Sequence, residues 1–277
     1  MDKINNILIG FDENEYPGVK SFRSLGDCVY HRYDREYLEE HIHQFDVLIP
    51  HLFFQLDDQI ISKAKRLKIV ATPSTGTDHI NLSLLKNNGI KVISLNDDRS
   101  FIEQITSTAE MTWLLILASY RKMRHLHDRV YLEKKWDNVD IRGNQLSGKT
   151  IGIIGYGRLG KLVSGYANAF NMRVLAYDTA PDAFSGASNA TQVELKALFA
   201  ESDIISLHAK LNNNSKQIID YAAVSLMKRG VMIINTARGE LIDPDAVLNG
   251  LNSGIIAAIG LDVCTNEYQL TELPKDP

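Results

Sequence analysis

The hydrophobic pattern of this chain switches repeatedly between two periods. Short runs of β-branched and aliphatic residues at 4–10, 28–33, 46–50, 68–72 and 91–95 predict strands. Between them, apolar positions recur at helical spacing. Residues 16–26, 35–42, 56–67 and 82–88 predict helices, and in the third of these Leu56, Ile60, Ile61, Ala64 and Leu67 share one face. Pro73 stops one strand and Gly89 one helix. A long apolar helix predicted over 106–123 leads onward, followed by a polar, loop-like stretch at 124–146 with Trp136 as its anchor. Strands are then predicted at 151–154, 173–178, 203–208, 231–235 and 255–263. Helices are predicted at 161–170, from a capping box at Thr191–Glu194 to Ala200, at 221–228, and at 243–252 with Pro244 in the first turn.

Strands alternating with helices imply parallel sheets covered on both faces. The fold class predicted is therefore α/β, with two doubly wound parallel-sheet domains, one over 1–98 and one over 99–277. With 44% hydrophobic and 23% charged residues, a packed core is expected and disorder is not. The net charge of -4 argues against nucleic acid or an anionic membrane as partner. Cys28 and Cys264 are the only cysteines, so no disulfide framework and no metal site are expected, and a reducing, cytoplasmic setting fits. The N-terminus lacks the features of a signal peptide, and the apolar stretch 111–118 is too short to span a bilayer and predicts a buried helix.

The strand at 151–154 runs into Gly155-Tyr156-Gly157-Arg158-Leu159-Gly160, the G-x-G-x-x-G spacing. Gly155 permits a tight turn, Gly157 lets the backbone approach a pyrophosphate, and Gly160 lets the following helix pack on the strand. The helix N-terminus then offers N–H groups and the positive end of its dipole to the phosphates. The strand at 173–178 ends in Asp178, about twenty residues on, where a carboxylate meets adenosine ribose hydroxyls. No arginine follows to receive a 2′-phosphate, so NAD is expected rather than NADP.

Ligands in such sheets bind beyond the carboxyl ends of the strands. Arg238 lies there, in Asn235-Thr236-Ala237-Arg238-Gly239, and its planar fork suits a substrate carboxylate. Asp262 ends the last strand, facing a nicotinamide or simply capping the strand, and Glu267 follows as either a loop carboxylate or the partner of a histidine. In the first domain the small-residue turn Ser74-Thr75-Gly76-Thr77 follows a strand and can aim N–H groups at an anion, or serve as an ordinary helix entry. A carboxylate between this turn and Arg238 would occupy an interdomain cleft.

In Ser74–Asp78, Thr108-Ala109-Glu110, the stretch 146–160, the stretch 202–208, Asn235–Gly239 and Gly260–Val263, nearly the whole chain resembles the D-isomer-specific 2-hydroxyacid dehydrogenases. The resemblance implies a flavodoxin-like substrate domain, a Rossmann coenzyme domain, and a homodimer formed mainly by the coenzyme domains. It implies hydride transfer between NAD and a 2-hydroxy or 2-oxo acid, with Arg238 and Glu267 catalytic and Arg238 with Ser74–Thr77 on the substrate carboxylate. Arg158, Leu159, Asp178, His208, Ala209, Thr236 and Asp262 would line NAD beside the glycine turn, with Thr75 near its nicotinamide end. Lys210 and Tyr268 stand where the family usually has proline. The family's catalytic histidine, in a Pro-His motif beyond the glutamate, has no counterpart before Pro277, so the chain is expected to be C-terminally shortened and impaired. His51, His79, His125, His127 and His208 each read as surface or structural histidines rather than substitute acids, with His79 the first candidate if one serves. The alternatives to a dehydrogenase are an inactive NAD-binding relative and an NAD-responsive, corepressor-like interaction protein.

Overall fold

The computed structural model describes residues 6–51, 55–136, 142–185 and 188–265. The chain divides into two compact units, Met1–Gln104 and Ile105–Pro277. The division falls after residue 104 rather than 98 because a short helix caps the first unit: the Asp98 side chain accepts from Phe101 N–H, and Ile102 is buried.

The first unit runs β1 (Asn6–Ile9), β2 (Asp27–Tyr30), α1 (Arg35–His41), β3 (Val47–Ile49), α2 (Asp58–Lys63), β4 (Ile69–Thr72), α3 (Leu82–Asn87), β5 (Lys91–Ser94) and α4 (Arg99–Ile102). Its parallel sheet has the order β2-β1-β3-β4-β5, the flavodoxin-like arrangement. Ile7 pairs with Cys28 on one side and Val47 on the other. Leu8, Leu48 and Val70 face a core with Leu38, Ile42, Ile60 and Leu85 from the helices. Four helices begin at aspartate or asparagine caps: Asp34, Asp57, Asn81 and Asp98 each accept from a first-turn N–H. Such a cap contributes about 1 kcal/mol. The helix predicted over 56–67 is shorter than its apolar stripe. Leu56 instead bridges Ile80, and Ala64 and Leu67 are buried beyond the helix end. Residues Pro17–Ser24 form a 3₁₀ helix with no fully buried side chain, resting on the core only through the partly buried Val19 and Phe22.

The second unit opens with α5 (Ser107–Tyr120) and α6 (Met123–Tyr131). Lys122, in the left-handed region at φ 51, turns the chain between them, so the predicted long helix ends early and the predicted loop is partly helical. Trp136 is 91% exposed and is not an anchor among the described residues. Of the apolar face expected to be buried, α5 sinks Ala109, Thr112, Trp113 and Ile116 but leaves Met111 and Leu114 at the surface.

Then follow β6 (Thr150–Ile154), α7 (Arg158–Ala169), β7 (Arg173–Tyr177), β8 (Thr191–Gln192), α8 (Leu195–Glu201), β9 (Ile204–Leu207), α9 (Tyr221–Leu226), β10 (Val231–Asn235), α10 (Pro244–Ser253) and β11 (Ile256–Leu261). The order β11-β10-β9-β6-β7-β8, all parallel, is the Rossmann arrangement with its topological switch between β6 and β9. Ile151, Ile153 and Ile234 face α5 and α7, while Ile154, Ile205 and Ile233 face α8, α9 and α10. Each such side chain contributes roughly 1.5–3 kcal/mol by leaving water. The capping box expected at Thr191 does not form. Thr191 and Gln192 pair with Leu175 and Ala176 as an edge strand, and α8 starts after Glu194 without a side-chain cap. Among the described residues no helix is long and apolar enough to cross a membrane, and no cluster of metal-ligating side chains occurs.

Candidate functional site

Because the sheet of the second unit is wholly parallel, the segments after β6, β7, β9, β10 and β11 all leave at one edge. Gly155, Asp178, His208, Thr236 with Arg238, and Asp262 are the residues gathered there.

The glycine turn is built by close approaches. Gly155 has φ 96, and a Cβ on it would lie 2.5 Å from Ala209 N and from the His208 carbonyl carbon. Those two residues follow β9, so the turn is wedged into the switch point, where a side chain would force β6 and β9 apart. A Cβ on Gly160 would lie 2.2 Å from the Gly155 carbonyl oxygen, so only glycine lets α7 start this close to the strand. Gly157 differs: it caps α7 with ordinary backbone angles, and a Cβ there would meet no atom within 4 Å. Open space beside an uncapped helix N-terminus is what a diphosphate requires. Arg158 donates from Nη1 to the Ile105 carbonyl at 2.5 Å, and Leu159 packs against the core beneath the turn.

Asp178 is fixed through both carboxylate oxygens. Tyr156 N–H donates to Oδ2 at 2.6 Å and Ala180 N–H to Oδ1 at 2.8 Å. A carboxylate oxygen has two lone-pair sites, so each retains acceptor capacity.

His208 N–H donates to the Ile154 carbonyl at 2.7 Å, and its Nε2 is hydrogen-bonded to Ser206 Oγ at 2.9 Å. The residue keeps some accessible surface, yet Nδ1 is sealed from solvent with no partner. Burial lowers the pKa of the ring to about 4, so the imidazole is neutral at pH 7. Lys210 offers its carbonyl to Ser215 Oγ at 2.6 Å, and Asn212 Oδ1 accepts from Asn214 and Ser215 N–H to close the turn.

Asn235, fully buried at the end of β10, organises the next segment. Its Oδ1 accepts from Ala237 N–H at 3.0 Å, its Nδ2 donates to the Arg238 carbonyl at 2.8 Å, and its own carbonyl accepts from Asp262 N–H at 2.9 Å. One residue thus fixes the backbone of Arg238 through its side-chain amide and that of Asp262 through its main-chain carbonyl. The guanidinium of Arg238 donates from Nη1 to the Ala237 carbonyl at 2.6 Å. A Cβ on Gly239 would lie 2.2 Å from the Cys264 carbonyl carbon, so this turn is packed directly on the chain beyond β11. Thr236 is buried, its Oγ1 2.8 Å from that of Thr112 on α5. Thr112 already donates to the Thr108 carbonyl, so Thr236 is the donor in the pair and keeps a lone pair for another group. Asp262 is exposed, and Glu267 lies outside the described residues.

In the first unit, the turn Ser74–Thr77 follows β4 and is held by a chain of side chains. Ser74 Oγ donates to the Gly76 carbonyl at 2.6 Å. Thr72 Oγ1 therefore donates to Ser74 Oγ at 2.8 Å, and accepts from His79 Nε2 at 3.1 Å. Asn96 Nδ2 donates to the Thr75 carbonyl at 2.5 Å. His79 so placed braces the turn. His51 bonds the Tyr33 carbonyl through Nε2 at 2.8 Å and stacks on the Tyr33 ring at 4.9 Å, and burial lowers its pKa.

A family profile described as the NAD binding domain of the D-isomer specific 2-hydroxyacid dehydrogenases matches residues 113–277. The chain is 36% identical to a hydroxypyruvate reductase of Thermotoga maritima over 242 residues, which cover 87% of this chain and 76% of the relative. This chain belongs to the D-isomer specific 2-hydroxyacid dehydrogenase family. It is also 32% identical to a D-3-phosphoglycerate dehydrogenase of Archaeoglobus fulgidus, of which it covers 43%. Its fold superposes on the D-lactate dehydrogenase of Aquifex aeolicus, solved with NAD and lactic acid, with a TM-score of 0.83 at 28% identity over 98% of this chain and 82% of that one. As in other NAD-dependent dehydrogenases of the family, NAD is the cofactor. The residues present fit it: the open position at Gly157, the sealed and unpartnered Nδ1 of His208, and a carboxylate fixed at the end of β7.

Several residues of this dehydrogenase edge escape sequence reasoning. Asn235, Ser206, Thr112 and Tyr156 act through backbone or hydroxyl contacts that no local spacing announces. Asn235 is marked in the sequence only as the first residue of the Asn235–Gly239 motif and as a polar residue ending an otherwise apolar run, Val231–Asn235, and neither signal announces its bonds.

Proposed function

We propose that the chain interconverts a 2-hydroxy acid and its 2-oxo acid with NAD(H) as hydride carrier. The observation that carries this reading is the single sheet edge that collects the glycine turn, Asp178, Thr236 and Arg238. When bound, NAD supplies the hydride acceptor or donor. Arg238, with the Ser74–Thr77 turn of the unit proposed as the substrate domain, holds the substrate carboxylate and polarises the neighbouring carbonyl. Gly155, Gly157, Arg158, Leu159 and Gly160 hold the diphosphate end, and Asp178 holds the adenosine ribose. His208, Ala209, Thr236 and Asp262 line the rest, with Thr75 at the nicotinamide end. Glu267 is assigned to orient and charge a histidine general acid. No histidine occurs in residues 268–277. Proton transfer from such a group is worth about 10²–10⁴-fold, so residues 1–277 alone should reduce 2-oxo acids slowly.

The test is NADH oxidation with glyoxylate, hydroxypyruvate and pyruvate, for residues 1–277 and for a form extended by a Pro-His segment. Turnover is expected to rise on extension. In the extended form, Arg238→Ala should lower kcat/KM by about 10²–10³-fold, the scale for removing one charge-stabilising donor. Asp178→Ala should weaken NAD more than NADP. Tight NAD binding with no turnover by either form would favour the non-enzymatic, NAD-responsive reading.

The partner is proposed to be a second copy of the chain, docked through α5, α6 and the residues just after. Met111, Leu114, Met123, Tyr131, Leu132 and Trp136 are all exposed there, an apolar surface of the kind that marks interfaces. A cytoplasmic location is proposed because a chain with only two cysteines, Cys28 and Cys264, is not built on a disulfide framework.

A further inference from the structure

Tyr156 sits between the first two glycines of the turn, and only 2% of it is exposed. Its bonds run to the segment that follows β7. Besides the N–H that holds Asp178 Oδ2, its ring stacks on Phe184, with centroids 4.8 Å apart and planes at 10°. Lys161 Nζ lies 5.7 Å from the ring centroid. Its hydroxyl is hydrogen-bonded at 3.2 Å to Ser188 Oγ, which also bonds the backbone of Ala190. One residue thus ties residues 178–185 and Ser188 to the glycine turn by three separate links.

We propose that Tyr156 is a positioning residue that presets Asp178 and residues 178–185 for the adenosine ribose and thereby sets the preference for NAD over its 2′-phosphorylated form. The inference rests on the assignment of Asp178 to the ribose. Two carboxylate oxygens locked in orientation, each with an acceptor site left, match two vicinal hydroxyls. A 2′-phosphate would meet the same locked carboxylate as a like charge, and residues 179–185 hold no arginine or lysine to receive it. Selectivity needs that repulsive element as much as the attractive one. A carboxylate on a loose loop swings aside and rejects the phosphate poorly; Asp178, bonded to two backbone N–H groups and followed by a segment whose Phe184 is pinned on the Tyr156 ring, cannot. The competing account is that Tyr156 merely fills the core against Phe184. In that case its variants would lower thermal stability and weaken both dinucleotides alike.

The experiment measures NADH and NADPH dissociation constants by calorimetry on the full 277-residue chain, alongside thermal midpoints. Four variants are compared: Tyr156→Leu, Tyr156→Phe, Ser188→Ala and Asp178→Ala. Tyr156→Leu removes the stack and the hydroxyl and should reduce the NADPH-to-NADH ratio of dissociation constants about two- to tenfold, the range for an aromatic pair. Tyr156→Phe keeps the stack, so it should match Ser188→Ala, with a smaller fall in the ratio. An unchanged ratio in Tyr156→Leu, with a lowered thermal midpoint, overturns the proposal. If Tyr156→Leu does not fold, Tyr156→Phe and Ser188→Ala decide: equal falls support the proposal and unchanged ratios overturn it. Asp178→Ala separates the two levels. A ratio unmoved by Asp178→Ala removes the ribose assignment itself. A ratio that collapses in Asp178→Ala but holds in the Tyr156 variants removes only the role of Tyr156.

Discussion

At the scale of single residues, His208 converts burial into pH dependence. Its ring titrates at about 4 in the folded chain, below the ordinary histidine value of 6.5. Above pH 6.5 the ring is neutral in both the folded and unfolded states, and stability does not depend on it. Between 6.5 and 4 the unfolded chain takes up a proton that the folded chain refuses, so stability falls as the solution is acidified; below 4 both are charged and the loss is complete. From pH 7 to 5 the second unit should lose about 2 kcal/mol through this residue. Denaturant unfolding followed by the fluorescence of buried Trp113 should show that loss in the wild type and a smaller one in His208→Gln. Equal losses would place the pH sensitivity elsewhere. The same scale shows where sequence reasoning stops. Asp178 is legible because its place depends only on the spacing from the glycine turn. Asn235 and Tyr156 are not, because what they bond is decided by where other strands end.

At the scale of elements, the β6–turn–α7 crossover separates packing from ligand access within three glycines. A Cβ on Gly160 meets a backbone oxygen that cannot move aside, whereas one on Gly157 meets open space. Gly160→Ala should therefore destabilise the second unit by about 1–3 kcal/mol, the usual cost of overpacking. Gly157→Ala should leave the thermal midpoint within about 0.5 kcal/mol of the wild type, the range of uninvolved positions, while weakening NADH binding. Calorimetric scans beside NADH titrations of both variants test this; a destabilised Gly157→Ala that still binds NADH would contradict it. Strands were the most legible elements, since β6, β9 and β10 are wholly buried and largely apolar and β10 spans 231–235, the residues expected. Helix ends were less so. The apolar stripe over 56–67 outlasts α2 because its last members are buried by the turn after the helix. The Thr191–Glu194 signal matches a capping box in spacing alone, and pairing with β7 prevails. The polar residues of 123–131 concealed α6, a helix that buries no side chain.

At the scale of the whole molecule, each unit has cores of its own: two clusters within the first and two within the second, on the opposite faces of each sheet. The strand orders were foreseen only as a class, since alternation of strand and helix implies parallel sheets but the order follows from which crossovers the chain takes. The exposed apolar residues of α5 and α6 belong to this scale too. Leu114, 58% exposed, should be buried in a dimer, so Leu114→Glu should shift sedimentation from dimer to monomer with little change in the circular dichroism of the chain. A wild type that sediments as a monomer would refute the pairing. The wholly parallel sheets have a consequence for how the chain is made. No strand can reach its neighbour through a tight hairpin, and Ile151 of β6 pairs with Ile204 of β9 across the longest crossover of the second sheet. At roughly 5–20 residues per second, ribosomal synthesis takes about three to ten seconds to deliver β9 after β6. Throughout that interval β6 presents an unpaired apolar edge, the feature that invites intermolecular strand pairing. The strand that carries the glycine turn thus also waits longest for its partner among the strands of the second sheet while the chain is emerging.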